Sequence, residues 1–174
     1  MNIAKELKAI NAALDEYRLQ LDNLPDEQFD VTPPKGGWSF AEVYSHIMQA
    51  TIGGSIMLER CTHKTSKPAK GGVNWIGKYV LFTGLFPPVK TTLPNDVAAK
   101  MAPQKISKEE AKNLIVKCRQ RMEAMATLIS ETPSTRRAQH PRMGMLNANQ
   151  WFKFIRIHLQ HHLKQLERIR KQLG

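Results

Sequence analysis

The sequence predicts an all-α fold, a four-helix bundle with one long crossover connection between the second and third helices. Three observations carry this expectation. Four segments repeat apolar residues at the three- and four-residue spacing of amphipathic helices. Three of those segments open on a helix-capping signature. Between the second and third lie about 45 residues, too many for a plain loop in a compact domain. At 174 residues, 41% hydrophobic and 24% charged, residues 1–174 read as a single domain with enough apolar content to fold.

The first helix runs from about Asn2 to Leu24, with Ile3, Leu7, Ile10, Leu14 and Leu21 on one face and Leu24-Pro25 ending it. The second opens on Ser39-Phe40-Ala41-Glu42, a capping box in which serine and glutamate satisfy each other's backbone N–H groups. Trp38 is placed to staple onto Val43. This helix continues to about Arg60, and its Gly53-Gly54 pair predicts a kink or a close helix crossing. The third opens on Ser107 and Glu110 and reaches about Glu131, with Leu114, Cys118, Met122, Met125 and Leu128 as its stripe. The fourth opens on Asn147 and Gln150, with Leu146 placed to staple onto Trp151, and runs to about Leu173. Its last turns carry Arg168, Arg170 and Lys171, where the helix dipole favours positive charge.

The long connection contains an aromatic patch, NWIGKYVLFTGLF, followed by Pro87-Pro88 and Pro94. It reads as a short helix over one end of the bundle with a Pro-rich extended tail. The patch is too apolar to lie free in water, so it must pack on the bundle or on a second subunit, which makes a homodimer one expectation. No strand alternation or internal repeat stands out.

Charge is unevenly divided. Residues 1–60 carry 5 basic and 9 acidic side chains, and residues 61–174 carry 21 and 6, for a net +11 overall. A basic face can attract nucleic acid or another anionic partner, yet no nucleic-acid motif accompanies it, and a solvated lysine-rich surface is the plainer reading. No apolar run has the roughly 18 residues of a membrane span. The N-terminus lacks the apolar block of a signal peptide, and two isolated cysteines make no disulfide framework. A cytoplasmic protein with no membrane partner is expected.

The histidines hold the chemistry. His158 and His162 lie four apart on the apolar stripe of the fourth helix, so both rings project from the face turned toward the bundle. Two imidazoles on adjacent turns can aim at one metal ion, and His46 on the second helix is the candidate third ligand. The plain alternative is a set of hydrogen-bonded core or surface histidines. His161 competes with His162 as ligand if the helix is rotated. His63 reads as a surface residue, with a Cys61-x-His63 metal contact as the alternative. His140, before Pro141 in a turn, is a loop residue or a pocket-lining group.

These residues resemble those of the DinB-like superfamily. Trp38-Ser39 opening a helix with Glu42-Val43 and His46 resembles the start of its second helix. His140-Pro141, Gly144, Gln150-Trp151, then His158, His161, His162 and Gln165 resemble its closing helix in the same order. The resemblance covers nearly the whole chain, although residues 62 to 135 or so match only in layout. It implies a divalent metal, nickel or zinc, held by His46, His158 and His162 between helices. It also implies an enzyme of hydrolase or thiol-dependent S-transferase type acting on a small molecule, with a low-molecular-weight thiol among the candidate partners. Three neutral ligands would leave the ion an open position where a water or a thiol gains acidity. No general acid or base is evident, since His161, His140, Gln165 and Tyr44 are the only nearby candidates by spacing. Serine-hydrolase, P-loop and dinucleotide-binding signatures are absent. The rival reading is a non-catalytic basic protein that binds nucleic acid or another anionic partner on the same fold.

Overall fold

Each helix begins where a side chain can satisfy its first backbone N–H groups. The computed structural model describes residues 1–63, 70–88 and 103–174. Helix α1 (Ile3–Asp22) is capped by the Asn2 side chain, and a four-residue turn of helix, α2 (Asp26–Phe29), follows. Helix α3 (Phe40–Thr62) starts with the expected capping box, in which the Ser39 amide donates to Glu42 Oε2 at 2.8 Å. Helix α4 (Trp75–Thr83) is capped by Asn74, and α5 (Lys108–Ile129) by Ser107. Helix α6 (Ala148–Leu173) opens on the second full capping box, Asn147 with Gln150.

The architecture is the predicted mostly helical four-helix bundle. Helix α3 packs on α5 and α6, and α1 packs on the same two. The two long helices nearest in sequence, α1 and α3, therefore sit across the bundle diagonal, with α2 in the chain between them. Two tyrosines bind this centre together: Tyr17 donates to the Leu159 carbonyl at 2.8 Å, and Tyr44 donates to the Tyr17 carbonyl at 2.7 Å. Both rings are fully buried and meet edge to face. No helix among the described residues is long and apolar enough to cross a membrane.

The structure adds one element that helical periodicity did not indicate. Strands β1 (Arg137–His140) and β2 (Gly144–Asn147) form an antiparallel hairpin just before α6. With four residues each, the strands are too short to display an alternating pattern. The chain around Gly72–Asn74 runs alongside, with Met145 N–H donating to Gly72 O and Asn74 N–H to Met143 O, both at 3.0 Å. Gly144, at φ +84°, makes this approach possible, because a Cβ there would stand 2.5 Å from Gly72 O.

The aromatic patch splits between two environments. Val80 is fully buried against the bundle, whereas Phe82 and Trp75 are exposed. Of the expected Pro-rich tail, Pro87-Pro88 end the described segment, and the rest, with Pro94, falls at residues 89–102, outside the described residues.

Candidate metal centre

A close crossing of α3 and α6 builds the site. A Cβ on Gly54 of α3 would lie 3.1 Å from Ile155 Cγ1, so glycine is what lets α6 approach at that level. From there α3 runs back toward its N-terminus while α6 runs forward, an antiparallel pairing that carries His46 to the level of His158 and His162. The metal-ligating atoms of these three histidines all lie within 4.8 Å of one another. Among the described residues no other group of His, Cys, Asp or Glu converges in this way.

The rings are individually held. His162 Nδ1 donates to Gln165 Oε1 at 2.7 Å, which leaves His162 Nε2 as the inward nitrogen with the lone pair, placed to accept from His158. That Nε2 stands 3.0 Å from His158 Nε2. Two nitrogens on one tetrahedral zinc at 2.0–2.1 Å would stand about 3.3 Å apart, so the pair is already near ligating separation. His46 meets His158 edge to face at 5.5 Å between ring centres and His162 at 4.9 Å. Trp38 lies over His46 at 4.9 Å and runs parallel to His162 at 6.4 Å.

The electrostatics keep the imidazoles neutral. Burial lowers the pKa of His46. Burial, then the charges of His162 and His46, holds His158 well below its ordinary value. Burial, with the neighbouring His46 and His161, pushes His162 down to about 3. Neutral imidazoles are the donor set that zinc, nickel and other divalent transition ions take. The residues present therefore fit a metal on chemistry as well as on spacing.

Beside the cluster opens a cleft of about 370 Å³. His46 and His158 border it, His140 and Gln139 come from the hairpin, and Trp151 and Phe154 form an apolar wall. No charged side chain among the described residues lines it. His162 does not border the cleft; its ring is bonded to Gln165 and stacked with Trp38 instead.

The remaining sequence candidates fall as follows. Gln165 is the hydrogen-bond partner of His162, and His140 lines the cleft. His161 lies outside the converging group, with its ring 4.6 Å from Phe86. Phe86 also reaches His158 at 5.8 Å, so the aromatic connection does touch the histidine cluster. Tyr44 is a core residue whose hydroxyl is spent on Tyr17, and it does not line the cleft. His63 is exposed at the end of α3 and Cys61 is buried with its thiol pushed up to about 11 by desolvation, and the two join no metal-ligating group among the described residues. Sequence reasoning missed Trp38 as a cover for the histidines. The available signal was a tryptophan one residue before a helix cap with a histidine two turns on, which it read as a staple.

Comparison with known proteins follows the geometry. The family profile of the DinB superfamily matches residues 9–166. No curated protein matches the chain. Among solved structures, the four-helix bundle protein TT2238 superposes with a TM-score of 0.62 at 17% identity, covering 95% of this chain and 98% of its own. YfiT from Bacillus subtilis, described as a probable metal-dependent hydrolase with an unusual four-helix bundle topology, gives 0.64 at 13% identity over 99% and 87% of the two chains. The mycothiol-dependent maleylpyruvate isomerase gives 0.60 at 12% identity, with 94% of this chain aligned to 60% of that larger one. At these identities the likeness is one of fold.

Proposed function

The chain belongs to the DinB superfamily, and on that premise we propose that it is a metal-dependent enzyme acting on a small molecule at His46, His158 and His162. One observation carries the reading: three neutral imidazoles converge beside an apolar cleft of substrate size. Three protein ligands, where a structural zinc takes four, are the donor count of a catalytic site. The cleft is the approach to the cluster, since His46 and His158 border it.

A bound divalent ion would supply charge that makes a water or thiol more acidic and polarises a carbonyl oxygen. The chain's own residues do the rest. Trp151 and Phe154 exclude water along one wall, and Gln165 fixes the tautomer of His162. With no carboxylate among the described residues of the cleft, neutral side chains there would orient the substrate. Two reaction types suit the site: hydrolysis, and transfer from a low-molecular-weight thiol. The described relatives, one a probable metal-dependent hydrolase and one a mycothiol-dependent isomerase, support keeping both.

Metal analysis of protein purified without chelator, alongside calorimetric titration with nickel and with zinc, tests the proposal. One equivalent of metal is expected in the wild type, with binding weakened at least a hundredfold in His158→Ala. Equal metal uptake by wild type and His158→Ala, or none in either after titration, would remove the basis of the enzyme reading.

A further inference from the structure

His140 is not one of the converging imidazoles, yet its ring lines the same cleft. It sits at the end of β1, where Pro141 starts the hairpin turn. Its Nδ1 accepts two backbone hydrogen bonds from that turn, from Arg142 N–H at 3.1 Å and from Met143 N–H at 3.2 Å. A nitrogen that accepts two N–H groups holds no proton of its own, so in this neutral ring the proton must be on Nε2. The plane is fixed as well, with Phe154 edge-on at 4.5 Å and Trp151 tilted at 5.1 Å.

The outcome is a donor with its direction set and nothing to donate to. Among the described residues Nε2 meets no acceptor. His140 is half-buried and its Nε2 is not among the buried unpaired atoms, so the N–H stays open to the cleft, where a ligand oxygen can take the place of solvent. Of the other polar side chains on the cleft, Gln49 donates to Ser45 Oγ at 3.1 Å, Trp151 donates to the Ala138 carbonyl, and Gln139 is exposed.

We propose that His140 orients the substrate by donating from Nε2–H to a carbonyl oxygen, and that the cleft takes a compact, uncharged carbonyl compound with an apolar body. The body lies against Trp151 and Phe154, and among the described residues no side chain on the cleft carries a charge that would pair with a charged substituent. This rests on the reading of the cleft as a substrate pocket and adds to it the class of substrate and the residue that orients it.

Two measurements on one sample test it. Protein labelled with 15N-histidine, both metal-free and zinc-loaded, is examined by long-range 1H–15N NMR, with the His140 signals assigned by their loss in His140→Gln. The Nε2–H tautomer is expected at His140 at pH 7. Acetophenone is then titrated, with ethylbenzene as the apolar body lacking the oxygen. Acetophenone should shift the His140 Nε2 signal saturably and ethylbenzene should not. His140→Phe should weaken acetophenone about tenfold, the usual worth of one hydrogen bond, leave ethylbenzene binding unchanged, and be partly rescued in His140→Gln. An Nδ1–H tautomer, no saturable shift, or equal acetophenone affinity in wild type and His140→Phe would overturn the assignment. The metal-free arm decides this even if zinc does not bind, so failure of the metal proposal and failure of this one are read separately.

Discussion

At the scale of single residues, the site is a set of histidines whose protons are placed by their neighbours. His140 is the case whose consequence can be measured without metal. Burial, with a smaller contribution from Arg142, lowers it to about 4 against an ordinary 6.5. Between those values the unfolded chain takes up a proton that the folded chain refuses, so stability rises with pH across that window. The contribution is whole above about pH 6.5 and is lost as pH falls toward 4. Its full size is on the order of 3 kcal/mol. Urea unfolding at pH 4.5, 5.5 and 7 should therefore show a steep loss on the acid side. His140→Gln, which has no proton to take up, should flatten that slope while lowering stability at pH 7 through the lost turn hydrogen bonds. Parallel pH curves for the two proteins would mean that His140 is not held neutral by the fold.

At the scale of elements, two adjacent glycines in α3 do different things. A Cβ on Gly54 would press on Ile155 and come within 3.7 Å of Trp151, whereas one on Gly53 would meet nothing within 4 Å. Gly54→Val should cost about 1–3 kcal/mol by forcing α6 away. That same displacement should also weaken metal binding, since it separates His46 from His158 and His162. Gly53→Ala should instead stabilise by about 0.5–1 kcal/mol, the helix preference for alanine over glycine. Thermal melts and a zinc titration of both variants check this, and a Gly54→Val protein as stable as wild type would refute the crossing argument. The pair was legible in the sequence as a place where two helices approach, because glycine in a helix needs a reason. The capping boxes at Ser39 and Asn147 were legible too, and they set the helical phase that turns His46, His158 and His162 to a common point. The hairpin was not, since strands of four residues leave no periodicity. Gln165 was a candidate by helical spacing and does bond His162, whereas the Trp38 cover and the Nδ1 contacts of His140 escaped because they depend on the fold around them. Phe86 and Phe82 make the same point inside one short segment, the first reaching His158 and the second facing solvent.

At the scale of the whole molecule, the uneven charge finds part of its explanation in how the bundle is assembled. Acidic residues of the first half pair with basic residues of the second: Glu6 with Arg156, Asp15 with Arg119, Asp22 with Lys112, Asp26 with Lys108, and Glu59 with Arg121. These pairs join α1, α2 and α3 to α5 and α6, the contacts that define the diagonal arrangement. Each is worth no more than about 1 kcal/mol where exposed, so their effect is to guide which helices meet more than to hold them. Arg121 also donates to Ser55 Oγ at 3.0 Å, which seats α5 on α3 near the crossing beneath the cleft. Basic charge spent on internal pairing is not gathered for a polyanion. The excess that remains at +11 should give only the weak, non-specific attraction of any basic surface. Duplex DNA titrated at 50 and 200 mM salt tests this. The expected dissociation constant at the higher salt is weaker than about 1 μM, within the non-specific range. Submicromolar affinity at 200 mM salt, with a slope equivalent to releasing many counterions, would mean that the second half of the chain presents a true nucleic-acid surface. The metal-dependent reading would then have to share the molecule with a binding function.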